Sequence, residues 1–157
     1  MTGPRRPAVW LLAAAVGSYA ADRVTKLWAV HVLAHGPPIT LIPRVLELRY
    51  TVNSGGAFGL GRSTPWLFAT ATIIVSLAIV VASFHVRRTA VSVALGLILG
   101  GALGNLTDRV LSSHGFLAGR VVDFINVHIW PIFNLADSAI VIGAILLGLT
   151  SFRGEED

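Results

Sequence analysis

The sequence predicts an all-α integral membrane protein: four transmembrane helices and a small extracytoplasmic β-sheet in the first outer loop. Three observations carry that prediction. Of 157 residues, 54% are hydrophobic and 13% charged, about half the charged share of a soluble domain. Mean hydropathy is +0.74. The apolar residues form long runs with short polar joins, leaving no stretch for a separate soluble unit, so 1–157 reads as one domain. Between the first two runs lies a segment of strict apolar–polar alternation, the period of a half-buried strand.

Composition also excludes several function classes. The formal net charge of +4 comes from basic residues scattered among apolar spans. It makes no stripe interleaved with stacking aromatics, so no nucleic-acid partner is expected. Scattered basic residues suit anionic lipid headgroups. The chain has no cysteine, which removes disulfides, a thiol nucleophile and thiolate zinc ligands. There is no HExxH pattern and the five histidines are dispersed, so neither a metal nor another cofactor is expected.

Taken in order, MTGPRRPAVWLLAAAVGSYAAD imitates a secretory signal, with Ser18-x-Ala20 resembling a cleavage site. Trp28, Val30 and Val32 carry the apolar character past that point. The segment is therefore read as an uncleaved span over about residues 8–32, long enough for a bilayer. Asp22 and Lys26 stand four apart on one face of it, a spacing that supports an ion pair. The first outer loop, about 33–64, opens with Gly36-Pro37-Pro38 and a turn-rich exit through Pro43. Leu46, Leu48, Tyr50 and Val52 then alternate with Glu47, Arg49, Thr51 and Asn53 as a strand. It runs into the glycine-rich turn Asn53–Gly59, either a plain hairpin or a binding loop.

Ser63-Thr64-Pro65 starts the second span, about 65–86, with Trp66 at the interface. A short basic turn, His85–Thr89, leads to the third, about 91–110. There Gly96, Gly100 and Gly104 recur every fourth residue, a face that lets a helix approach closely, within one chain or between copies. Its far end places Asn105, Asp108 and Arg109 on one face. The second outer loop, about 111–132, precedes a last span over about 133–152 and the polar tail from Arg153.

Four spans put both termini on one side. Arg5, Arg6, Arg87, Arg88 and Arg153 fall there, against Arg44, Arg49, Arg62 and Arg120 opposite. That count decides little, and the tight Arg87-Arg88 turn favours termini inside. Parity is more telling. Asp22, Lys26, Asn53, Asn105, Asp108, Arg109, Asp123, Asn134 and Asp137 all fall towards the outer face. A charge at the bilayer centre costs at least about 2.5–3.5 kcal/mol, and independent accidents would not choose one side. These residues read as one site.

Singly, Asp137 suits the first turn of a helix and Asp123 an interfacial loop. Together, two carboxylates sharing a proton can divide the work, one as base for water and the other as acid. Asn53, Asn105, Asn134 and Arg109 offer non-titrating groups to hold a peptide. A Ser54–Lys26 dyad is weaker, since Ser54 lacks an elbow or helix-start setting. A proton-coupled transporter would need polar groups reaching both faces, and a plain scaffold would leave the acids unexplained.

Five blocks then resemble the bacterial lipoprotein signal peptidase family, signal peptidase II. They are Asp22-x-x-x-Lys26, Asn53-Ser54-Gly55-Gly56-Ala57-Phe58, Gly100-Gly101-x-x-Gly104-Asn105-x-x-Asp108-Arg109, Val122-Asp123-Phe124 and Phe133-Asn134-x-Ala136-Asp137-Ser138. The resemblance covers nearly the whole chain. It implies an aspartic endopeptidase of the bacterial inner membrane that removes prolipoprotein signal peptides before a diacylglyceryl-modified cysteine. Asp123 and Asp137 would be catalytic; Asn53, Gly55, Asn105, Arg109, Asn134 and Ala136 would bind substrate; Asp22, Lys26 and Asp108 would support them. It further implies a multi-pass chain with cytoplasmic termini, an extracytoplasmic site beside membrane lipids, and inhibition by globomycin-like cyclic peptides. The first-loop sheet would be a cradle on the membrane surface, the loop before Asp123 closing over substrate. A monomer is expected.

Overall fold

The structure is a computed structural model describing residues 6–55, 64–112 and 117–152. Arg5, the glycine turn from Gly56 to Gly59, Arg62, Ser63, Gly115 and the tail from Arg153 lie outside the described residues. Four helices and three strands follow in the order α1 (Arg6–Leu33), β1 (Ile39–Ile42), β2 (Leu46–Asn53), α2 (Pro65–Ser83), α3 (Thr89–Leu111), β3 (Val121–Asn126) and α4 (Leu135–Phe152). The four expected spans are thus helical, the fourth starting at Leu135 rather than 133 because Phe133 pairs with Ile125 and Asn134 precedes the helix. The second ends at Ser83, three residues short of the expected bound, because Phe84 and His85 turn back onto the carbonyls of Val81 and Ala82.

The centre of the bundle is α3, which packs against each of the other three helices. Small residues make this possible. A methyl group at Gly96 would land on the Leu11 carbonyl, at Gly100 on the Ala15 carbonyl, and at Gly104 on the Asp22 carboxylate. The glycine face therefore docks α1 of the same chain. On another side of α3, Gly101 meets the Ala136 backbone, while Gly143 of α4 meets Ala94 and Ile98. Leu11, Ala15, Ile79, Leu95 and Leu99 form one apolar core.

The helices are inverted relative to a soluble bundle. Val9, Leu12, Val16, Val24 and Leu27 are exposed on α1, while Asp22 and Lys26 are fully buried. Exposed residues on α2 include Ile74, Leu77 and Val81, and on α4 Val141, Ile142, Ile145 and Leu149. Such surfaces suit hydrocarbon. Among the described residues, Trp66–Ser83 and Thr89–Leu111 are long and apolar enough to cross a membrane, and Leu135–Thr150 is a shorter apolar helix.

The sheet corrects one expectation. It is three-stranded and antiparallel, in the order β1-β2-β3, so the second outer loop contributes a strand as well as the first. Ile39–Ile42, expected as part of a turn-rich exit, is β1, paired to β2 through Ile39↔Leu48 and Thr40↔Glu47. Arg44 takes a left-handed φ of 64° in the turn between them. β2 and β3 pair Leu48↔Ile125 and then Thr51↔Asp123, so β2 carries one extra residue between those pairs. A bulge of this kind twists a strand and re-aims its side chains. At the far end, Asn126 donates to Glu47 at 2.9 Å. That bond, with Arg49 alongside, holds the Glu47 carboxyl below its ordinary range. Phe124 packs with Ala29 and Leu33 of α1, seating the sheet on the helix end. Phe124 and Ile125 also donate to the Phe133 carbonyl, at 3.0 and 2.8 Å, which turns the chain into α4.

Candidate active site

At the start of α4 the two readings of Asp137 prove compatible. Asn134 is the capping residue: its Oδ1 accepts the Asp137 N–H at 2.9 Å, and Asp137 Oδ2 accepts the Asn134 N–H at 3.3 Å. This is a reciprocal capping box built from amide and carboxylate. The helix start thereby fixes the Asp137 backbone and one carboxylate oxygen. Its other oxygen, Oδ1, accepts from Asn105 Nδ2 at 2.8 Å.

Asp123 reaches the same place from β3. Its side chain is almost completely buried, and its Oδ1 accepts from Asn134 Nδ2 at 2.6 Å. Asn53, at the end of β2, also bonds it. Asn134 thus bonds both carboxylates, Asp123 through its side-chain amide and Asp137 through its backbone N–H. Burial, and then the charge of Asp137, push the Asp123 carboxyl up to about 7, because a desolvated acid beside another acid resists ionising.

Both acids line one cavity of about 310 Å³, within the lower range of small-molecule clefts. Its polar wall holds Asn53, Gly55, Asn105 and Arg109 with the two acids, and its apolar wall includes Phe68 of α2 and Val141 of α4. Arg109 is buried and committed to backbone. It donates to the Gly55 carbonyl at 2.8 Å and the Gly119 carbonyl at 3.2 Å, and its guanidinium lies 5.8 Å from the Phe68 ring centroid. It ties the two outer loops together at the rim of the cavity.

Behind this wall lies a charged cluster. Lys26 Nζ is 2.9 Å from Asp22 Oδ2, 2.8 Å from Asp108 Oδ2 and 2.8 Å from Asn105 Oδ1. Asp108 also pairs with Arg23 and accepts the Val122 N–H at 3.2 Å, linking the cluster to β3. Asp22 Oδ1 accepts the Ala136 N–H at 3.0 Å, one of the free donors of the first turn of α4. Three oxygens surround Lys26, which commits its ammonium to the cluster and disfavours a role as base for Ser54.

Every residue singled out in the sequence is thus in or directly behind one site, with one difference of position. Ala136 is fully buried at the junction of α1, α3 and α4 and is absent from the cavity wall. Sequence reasoning missed Arg23, whose charge one position after Asp22 was the available signal. It also missed the Phe68 and Thr72 wall, for which an ordinary apolar span offers no signal.

A family profile described as Signal peptidase (SPase) II matches residues 14–153. The chain belongs to the signal peptidase II family. Proteins named lipoprotein signal peptidase from Streptomyces griseus and Streptomyces coelicolor are 43% and 45% identical to it. These alignments cover 96% and 97% of this chain and 76% and 74% of the relatives. The protein of that name from Mycobacterium tuberculosis is 40% identical over 96% of this chain and 75% of its own length. Two solved structures described as bacterial membrane enzymes share the fold. One has TM-score 0.78 and 33% identity, covering 91% of this chain and 87% of the other. The second has TM-score 0.76 and 34% identity, covering 89% and 90%.

Proposed function

We propose that this signal peptidase II is a single-domain enzyme of the bacterial inner membrane that cleaves prolipoproteins with Asp123 and Asp137. The observation that carries this reading is the bridging of the buried Asp123 and the half-buried Asp137 carboxylates by Asn134 beside one cavity. Asp137 accepts at both oxygens and serves as the base. Asp123, raised to about 7, still carries its proton in about half of the molecules at neutral pH and serves as the acid. Water adds to the scissile carbonyl carbon, giving a proton to Asp137 as Asp123 protonates the carbonyl oxygen. The tetrahedral adduct then collapses: the carbon–nitrogen bond breaks, Asp137 returns its proton to the leaving amine, and the hydroxyl proton returns to Asp123. Asn53, Asn105 and the Gly55 backbone border the space for the peptide, with Arg109 holding the loops that frame it. Asp22, Lys26, Asp108 and Ala136 act from behind the wall.

All four helices cross the bilayer in this reading, with termini cytoplasmic and the sheet on the extracytoplasmic surface. The inverted surface supports it, since α1 buries its acid and lysine against α3 while presenting valine and leucine outward. The enzyme works as a monomer, because the glycine face is already occupied by its own α1. A substrate carrying diacylglycerol stays in the membrane and presents its scissile bond at this depth. Globomycin-like cyclic peptides would occupy the same cavity. The test is cleavage in lipid of a diacylglyceryl-modified prolipoprotein beside its unmodified form, with the product N-terminus read by mass spectrometry. Cleavage before the lipidated cysteine alone is expected. Equal cleavage of the unmodified form would sink the substrate assignment.

A further inference from the structure

The Asn105 side chain carries information that its own contacts do not explain. An amide presents a carbonyl on one side and an NH2 on the other, and its orientation is set by its neighbours. Asn105 stands between Lys26, at 2.8 Å from Oδ1, and Asp137, at 2.8 Å from Nδ2. A lysine ammonium can only donate and an ionised carboxylate can only accept. With Lys26 in place, one orientation satisfies both neighbours. Asn134 Nδ2, 3.2 Å from Asn105 Oδ1, is a second donor on the Lys26 side.

We propose that Lys26 is a positioning residue for the catalytic pair. Held by Asp22 and Asp108, it fixes the Asn105 carbonyl towards itself, so the Asn105 amide must donate to Asp137. The inference rests on the aspartic reading above and deepens it. Lys26 is fully buried and touches neither carboxylate of the pair; beyond the through-space pull of its charge on Asp123, it reaches the pair through the Asn105 amide. A reversed Asn105 would set its carbonyl against Asp137 Oδ1, an arrangement tolerated only when Asp137 carries a proton. The base would then be blocked at pH values where the wild-type enzyme works. The charged groups around the network are Asp22 and Arg23 from α1, Asp108 and Arg109 from α3, Asp123 from β3 and Asp137 from α4.

The test is the pH profile of kcat/KM for cleavage of lipidated prolipoprotein. Lys26→Met alone leaves Asp22 and Asp108 buried without their cation and risks misfolding. The working variant is therefore Asp22→Asn, Lys26→Met and Asp108→Asn together, with folding checked by thermal unfolding in detergent. Its acid limb should move up by about one pH unit or more, a roughly tenfold extra loss one unit below the wild-type optimum. The sign separates this from plain electrostatics. Loss of the Lys26 charge alone would disfavour ionised Asp123, but the triple variant also loses two buried carboxylates and is one charge more positive overall, which opposes an upward move of the limb. A profile lowered equally at every pH, or an acid limb unmoved or moved down, would overturn the inference while leaving the aspartic reading intact. Failure of the wild-type enzyme to cleave would overturn both.

Discussion

Asp123 is built into a place that suits its acid form, which makes Asp123→Asn a test of the site's electrostatics independent of activity. The folded protein holds the Asp123 proton to about pH 7, against an ordinary value of 3.8. Between those values the folded state binds more protons than the unfolded state. Stability contributed by the group is therefore fully present below about pH 4, is lost as pH rises through about 7, and is level above that. The gap is roughly three pH units, and each unit is about 1.4 kcal/mol, so ionising Asp123 in place costs on the order of 4 kcal/mol. Asparagine is close in shape, and its Oδ1 still accepts from Asn134, but it has no charge to desolvate. Asp123→Asn should therefore match wild type in thermal stability near pH 4 and exceed it at pH 8. The excess should be on the order of ten degrees, since about 1 kcal/mol corresponds to roughly 2–4 °C for a chain of this size. The assay is thermal unfolding in one detergent across pH 4–8. Wild-type and variant curves running parallel over that range would refute the assignment of a buried, raised acid.

Other perturbations probe other parts of the structure. The alkaline limb of kcat/KM for lipidated prolipoprotein should fall near pH 7, as Asp123 loses the proton it must deliver; a limb two units higher would contradict its role as the acid. Arg109→Lys should cut cleavage by roughly tenfold or more, because an ammonium cannot span the Gly55 and Gly119 carbonyls as a guanidinium does. Its helical circular dichroism should stay unchanged, whereas loss of the helices would mark the effect as unfolding. Gly100→Val should destabilise by at least about 1–3 kcal/mol, since its side chain would drive into the Ala15 backbone; an unchanged melting temperature would show that α1 and α3 are not packed through this face.

The parts of this structure legible in the sequence are those governed by local spacing or by the cost of a misplaced charge. Asp22 and Lys26, four apart on a helix, are an ion pair on α1 as expected. Asn53, Asn105, Asp123, Asn134 and Asp137 were gathered by asking why costly polar groups collect at one membrane face, and the fold brings them together. What stayed hidden depends on distant partners. Val121–Asn126 has no alternating pattern because both of its faces are covered, by Phe124 against α1 and by Asp123 in the cavity, so its pairing with β2 was not visible. Ile39–Ile42 is exposed at all four positions and sits beside prolines, which read as a turn. Ala136 shows the limit of carrying a role by resemblance: its backbone N–H is bonded to Asp22 on α1, a contact that spacing along the chain does not reveal.

The most direct test of the central claim sets Asp123→Asn and Asp137→Asn beside wild type. Each is purified folded in the same lipid and scored for cleavage of diacylglyceryl-modified prolipoprotein. The account predicts that wild type cuts and that each single variant loses cleavage by at least about a thousandfold while keeping its helical fold. Substantial cleavage by either folded variant would contradict a mechanism in which the two carboxylates act as a pair.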